Sequence, residues 1–165
     1  EDQLSFVKNL NLECRNELIV RLHPSAKILN WFEQERWSDF DPNIKLDFGE
    51  KRVIDIIKKS RIVVHSYDST GILETLSLNI PTLAFWQNNL DHVRDHAIPY
   101  YRDLVDVGIF HLSPESVANK INSIWDDVST WWYSDKVQEA RKRFCERFSL
   151  ESKKPISDLK KVLTK

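Results

Sequence analysis

Cysteine is scarce in this chain. Cys14 and Cys145 are the only two in 165 residues. They form no CxxC pair and no Cys/His cluster with zinc-finger spacing. A disulfide framework is therefore not expected, and a reducing, cytoplasmic setting fits better. Both lie in helical patterns and read as buried free thiols. An excess of charge of one sign is also lacking: 24 basic residues face 25 acidic ones, for a net charge of -1. That balance gives no basic stripe for nucleic acid, although a local pocket for one anionic ligand stays open. No apolar run approaches the roughly 20 residues needed to span a bilayer, and Glu1-Asp2-Gln3 is not a signal peptide. Glycine is limited to Gly49, Gly71 and Gly108. Neither a GxGxxG fingerprint nor a Walker A loop can be built from them.

What remains is the composition of an ordinary globular domain, 41% hydrophobic and 30% charged. Leu4, Val7, Leu10 and Cys14 give helical spacing over 3–15. Residues 17–24 read as a short strand ending at Pro24, with Ser25 capping a helix through Trp31 and Phe32. Residues 43–49 alternate apolar with polar, as in a strand near a sheet edge. A short helix around Val53–Ile57 precedes a β-branched run at 61–65, expected to be a buried parallel strand. A helix over 70–78, a strand over 80–86, a helical segment from Asp91 interrupted near Pro99, and a strand over 109–112 follow. From Ser113 the pattern is helical, opened by an N-cap residue and a proline in the first turn. Its stripes are Val117, Ile121, Ile124 and Trp125, then Val137, Ala140, Phe144 and Phe148. The alternation predicts a Rossmann-like, doubly wound α/β fold with a mostly parallel sheet over 1–150 and a helical tail over 151–165. The chain does not start with Met, and its first periodic segment is a helix, not a strand. A piece of a longer protein is expected.

In such a sheet, ligands bind beyond the carboxyl ends of the strands. The informative loop there is His65-Ser66-Tyr67-Asp68-Ser69-Thr70-Gly71-Ile72-Leu73-Glu74. One of the three glycines sits at this strand-to-helix turn beside small hydroxyl residues. Free amides at a helix start and the helix dipole favour an anion, and the Ser69 and Thr70 hydroxyls can add bonds to phosphate oxygens. The plainer alternative makes Asp68 or Ser69 a simple N-cap. Glu74, one turn beyond Thr70, can accept from ribose hydroxyls or act as a capping-box partner. At the end of the first strand, Arg21 and His23 share a face and can reach a phosphate or a base; the plain alternative is a surface arginine and a histidine satisfied by backbone. The segment after Trp86 carries Gln87, Asn88, Asn89, Asp91, His92, Arg94 and His96. A solvated loop is favoured over a sugar contact, and the i, i+4 histidines lack an HExxH pattern, so no metal is expected. His111 reads as structural. Trp125, Trp131 and Trp132 read as packing residues, since no basic stripe accompanies them.

These residues together resemble the C-terminal half of bacterial surface-carbohydrate biosynthesis transferases, which in turn resemble GT-B glycosyltransferases. The matching pieces are residues 21–24, 60–64, 69–76, 79–82, 99–101 and 107–111, with Trp125-Asp126-Asp127-Val128 and Trp131-Trp132. The resemblance spans most of the chain and is carried by the combination, each piece alone being weak. It implies a nucleotide-sugar donor as substrate, with no separate cofactor. The His-Pro and Ser/Thr elements are also similar to those of transferases using CMP-linked sugars, with His23, Ser69 and Thr70 at the nucleotide phosphate. The nucleotide- and phosphate-binding set is then Arg21, His23, Ser66, Asp68, Ser69, Thr70, Gly71 and Glu74. The acceptor, a glycan or glycolipid, and the catalytic base are expected in an N-terminal GT-B domain, and the inner membrane face is a compatible location. The alternatives are a nucleotide-sugar epimerase or CDP-alditol phosphotransferase of the same fold, or a non-catalytic carbohydrate- or protein-binding module.

Overall fold

The computed structural model describes residues 1–26, 28–86, 90–150, 152 and 154–163. Helices α1 (Asp2–Asn9) and α2 (Leu12–Asn16) lead into β1 (Ile19–Arg21), and α3 (Glu33–Phe40) into β2 (Lys45–Asp47). Helix α4 (Val53–Ile57) leads into β3 (Val63–His65), α5 (Thr70–Ser77) into β4 (Thr82–Phe85), and α6 (Ile98–Asp106) into β5 (Phe110–His111). The chain then becomes helical: α7 (Pro114–Ile124), a 3-10 turn at Trp125–Asp127, α8 (Val128–Trp132), α9 (Asp135–Phe148) and α10 (Pro155–Leu163). Every strand pairing is parallel. Helices must therefore carry the chain back between successive strands, which is the Rossmann-like α/β arrangement the alternation predicts.

The strands form two strips, not one sheet: β1 pairs with β2, and β3, β4 and β5 pair in that order. Val20 lies opposite Leu46, Val64 opposite Leu83 and Ala84 opposite Phe110. Strand β2 is an edge strand, as its alternation predicts. Strand β4 is buried along its whole length, as a strand covered on both faces should be. The expectation of a buried β3 is only half met. Val63, Val64 and His65 are each half-buried, because one edge of β3 has no neighbouring strand among the described residues.

Two apolar clusters hold these layers together. One gathers Phe6, Val7 and Leu10 of α1 and its end, Leu22, Trp37, Leu83, Phe85 and the inner face of α7, with Val20, Leu46 and Val64 packed against it. It therefore draws on both strips. The second lies on the opposite side of β4 and gathers Ile72, Leu76, Leu104, Phe110, Trp132, Val137 and Phe144. Trp132 is fully buried, and its indole N–H donates to Asn79 O (3.2 Å) and Asn79 Oδ1 (3.0 Å). Trp131 donates to Val107 O and Trp125 to Glu13 Oε1. These tryptophans are packing residues, as read from the sequence. Cys14 is buried and Cys145 half-buried, both as free thiols. Ser113 caps α7 by accepting from the Ser116 amide, and Pro114 sits in its first turn.

Some local readings are corrected. No helix runs from Ser25 to Phe32. Residues 24–26 and 28–30 make turns, and Asn30 and Phe32 adopt left-handed backbone (φ 51° and 52°), which interrupts right-handed helix until Glu33. The segment before Pro99 is turns and not helix. The proline sits in the first turn of α6, where its missing N–H costs nothing. The first helical stretch is two helices, split where Asn11 accepts from the Cys14 amide and caps α2.

Candidate functional site

The carboxyl ends of the parallel strands carry most of the residues singled out in the sequence. Arg21 closes β1, and its guanidinium is committed to neighbours: Nη1 pairs with Asp47 at the end of β2, and Nη2 donates to Lys51 O (3.1 Å). Register explains this, because Arg21 and Asp47 are direct partners in the ladder. His23, exposed just beyond, accepts from the Ser25 amide through Nδ1 (3.1 Å), and its ring packs 5.4 Å from Trp31. With Nδ1 an acceptor, the neutral ring carries its proton on Nε2, a donor with no partner among the described residues.

The 66–71 loop follows β3. Ser66 Oγ accepts from Gln3 Nε2 (2.8 Å), which ties this loop to the start of α1. Asp68 faces His92 Nε2 at 3.9 Å. Ser69 is the N-cap residue of α5 by position, yet its side chain makes no capping bond. Nor does Asp68, so the side-chain-cap alternative is not realised. Ile72 N–H donates to Ser69 O (3.2 Å), while the Thr70 and Gly71 amides have no partner among the described residues. Glu74 is exposed. It lines a shallow groove with Leu73, Ser77, Leu78, Ser149 and Leu150, between α5 and the end of α9. It makes no capping-box bond. No described hydrogen bond, ion pair or ring contact joins Arg21 or His23 to residues 66–74. Gln87, Asn88 and Asn89 lie outside the described residues.

Three participants were missed in the sequence. His65 Nε2 lies 3.2 Å from Thr75 Oγ1, which itself lies 3.0 Å from Gly71 O. If the threonine donates to that carbonyl, the imidazole must donate to the threonine. Burial pushes the His65 pKa down to about 4, so it is neutral at pH 7. Its ring occupies the space a side chain on Gly71 would need: a Cβ there would lie 3.0 Å from His65 Cε1. The glycine is thus explained by close approach of a half-buried imidazole. The second is Trp86, at the end of β4. Its ring packs against His92 (5.6 Å), Tyr101 (5.8 Å) and Phe110 (4.2 Å), and its buried Nε1 has no partner among the described residues. The third is Tyr101, whose phenol is pushed up to about 12 by burial and then by the Asp68 carboxylate. A glycine one turn before a threonine is too common a pattern to have revealed the first. The other two come from elements distant in sequence. His111, buried, contacts Ser116 Oγ (2.8 Å) and Gly108 O (3.1 Å), the structural role expected of it.

The Gly71 packing gives a prediction with a defined sign. Helix propensity alone favours alanine over glycine by about 1 kcal/mol. Crowding against His65 reverses that, so Gly71→Ala should lose about 1 kcal/mol or more of stability in urea unfolding. A stabilised variant would show that the imidazole yields freely.

The fold and site define a Rossmann-like α/β domain with open helix amides beyond the carboxyl end of a parallel strand, a place suited to binding an anion. The LIC12162 family transferase model matches residues 1–163, and the chain belongs to that transferase family. No curated protein matches the chain. No solved structure does so either. No helix among the described residues is long and apolar enough to cross a membrane.

Proposed function

We propose that this chain is the donor-binding half of a GT-B-type glycosyltransferase, holding the phosphate of a nucleotide-sugar, CMP-linked sugars included, at the start of α5. The sugar passes to a surface-polysaccharide or glycolipid acceptor held by an N-terminal domain. The observation that carries the reading is the uncapped first turn: the Thr70 and Gly71 amides have no partner among the described residues, and the hydroxyls of Ser69 and Thr70 flank them. Such amides stabilise the negative charge that grows on a departing nucleotide phosphate, and they need no metal to do so. The Trp86 indole N–H, packed on the His92 ring and without a partner among the described residues, is a further donor beside the same loop. Asp68 does not itself bind a phosphate in this reading, since two anions repel. Its role is to hold His92. His23, beyond the carboxyl end of β1, offers an Nε2 that has no partner among the described residues, and Arg21 keeps the β1 end in place through Asp47.

Titration calorimetry of the full-length protein with CMP, UDP and CDP tests this. One nucleotide should bind. Ser69→Ala with Thr70→Ala should weaken it about tenfold or more, with unchanged circular dichroism, since each lost hydrogen bond to a charged group is worth about 1.5–3 kcal/mol. Absence of binding by all three would remove the proposal.

A further inference from the structure

We infer that α10 is a docking element for an anionic lipid surface, with its apolar face in the headgroup boundary and its lysines toward the phosphates. The end of α9 is fixed to the domain, because Ser77 Oγ lies 2.8 Å from Ser149 Oγ and 3.2 Å from Ser149 O. Beyond that point the packing stops. Leu150 is exposed, and so is every side chain from Pro155 to Leu163. Four of these are large and apolar: Ile156 is 72% accessible, Leu159 60%, Val162 71% and Leu163 75%. None of them joins either apolar cluster. The shallow groove lined by Leu73, Leu78 and Leu150 lies where the tail departs, yet α10 is not seated in it, since no α10 side chain is buried.

The exposed apolar groups are ordered. At about 100° per residue, Ile156, Leu159, Val162 and Leu163 fall within an arc of about 120°. Ser157, Asp158, Lys160 and Lys161 occupy the rest of the circumference. Local bonds build the helix: Ser152 Oγ accepts from the Lys154 amide (3.0 Å) and donates to Asp158 Oδ2 (2.6 Å), and Lys161 Nζ lies 3.0 Å from Asp158 Oδ1. The result is a short helix with one fully apolar face turned to solvent.

Charge says what covers that face. Residues 151–165 hold five lysines, Lys153, Lys154, Lys160, Lys161 and Lys165, against Glu151 and Asp158. The whole chain is at -1, so the rest of it carries an excess of acid and the basic character is concentrated in the tail. A basic amphipathic helix with leucine and isoleucine on one face is matched to an anionic bilayer surface. A protein groove is a poorer match. The tail has no Trp, Tyr, Met or Arg, the residues that anchor protein interfaces, and is rich in Lys, which such interfaces lack. Nine residues make a helix of about 14 Å, too short to cross a hydrocarbon core of about 30 Å, so α10 lies in the plane of the surface.

Cosedimentation of the full-length protein with vesicles tests this. Binding to phosphatidylcholine vesicles containing phosphatidylglycerol should be about tenfold or more tighter than to phosphatidylcholine alone, and added salt should weaken it. Leu159→Asp with Leu163→Asp should reduce partitioning about tenfold or more. Lys160→Gln with Lys161→Gln should reduce it about fivefold or more. Both variants should keep the urea midpoint and the sedimentation mass of the parent. No binding, equal binding to both kinds of vesicle, or unchanged partitioning of the leucine variant would overturn the inference. So would a lowered urea midpoint or a smaller sedimentation mass of that variant, which would mean that the apolar arc is covered by the protein itself or by a second copy. Nucleotide plays no part in these readouts, so they stand or fall separately from the donor site.

Discussion

Trp132→Ala should lower the stability of the protein by about 3–5 kcal/mol, the range for emptying a fully buried aromatic site. Against a total stability of about 5–15 kcal/mol for a typical domain, that is a large fraction. The site cannot readily collapse, because Trp132 sits among Ile72, Leu76, Leu104 and Phe144, drawn from three different helices. Truncation also removes the donor to Asn79, which adopts left-handed backbone (φ 54°) at the return from α5 to β4. Gln138 Nε2 still reaches Asn79 Oδ1 at 3.1 Å, so the carbonyl is the oxygen left without its partner. Trp132→Phe separates the two contributions: it keeps most of the packing and loses the N–H, at a cost of about 1–3 kcal/mol. Urea unfolding of both variants measures the difference. A loss below about 1 kcal/mol for the alanine variant would show that α8 and the α5–β4 return are not coupled through this ring.

Acidification should destabilise the protein through His65. Its pKa is about 4 folded, against an ordinary value of 6.5. Between those values the unfolded chain binds a proton that the folded chain does not, so stability rises with pH across that window. The contribution of His65 is full above about pH 6.5, declines as pH falls, and is gone below about pH 4. At its full extent it amounts to about 3 kcal/mol. His111 is also pushed down by burial and adds a loss of the same sign. The His65→Gln variant separates them: its stability should fall less steeply than the wild type's between pH 7 and pH 4.5. Parallel curves for the two proteins would mean that His65 does not titrate across that interval. The same neutrality bears on the helix start. A charged imidazole beneath the first turn of α5 would oppose the positive end of the helix, and the half-buried neutral ring does not.

Much of the fold was legible because it is local. Ser113-Pro114 announces α7 through an N-cap and a first-turn proline. The stripe from Val117 to Trp125 and that from Val137 to Phe148 fix which faces are buried. The β-branched run at 62–64 and the apolar run at 82–85 mark parallel strands, and alternation at 43–49 marks an edge. The loop 66–71 was legible as a helix start with free amides. The helix wrongly expected after Ser25 has a local origin too: nothing in the side chains of Asn30 and Phe32 announces a left-handed backbone, which is held by the turns around them.

By itself, the sequence determined the order of strands and helices, the buried stripes and the position of the α5 turn, because propensity, capping and periodicity act over a few neighbouring residues. Only the tertiary structure decided that Arg21 is held by Asp47, that Gly71 makes room for His65, that Trp86 and Tyr101 meet beside Asp68, and that the described strands divide into two strips. Each of these depends on which strand lies beside which and in what register. That pairing is set by burial shared among elements far apart along the chain, and no short window of sequence contains it.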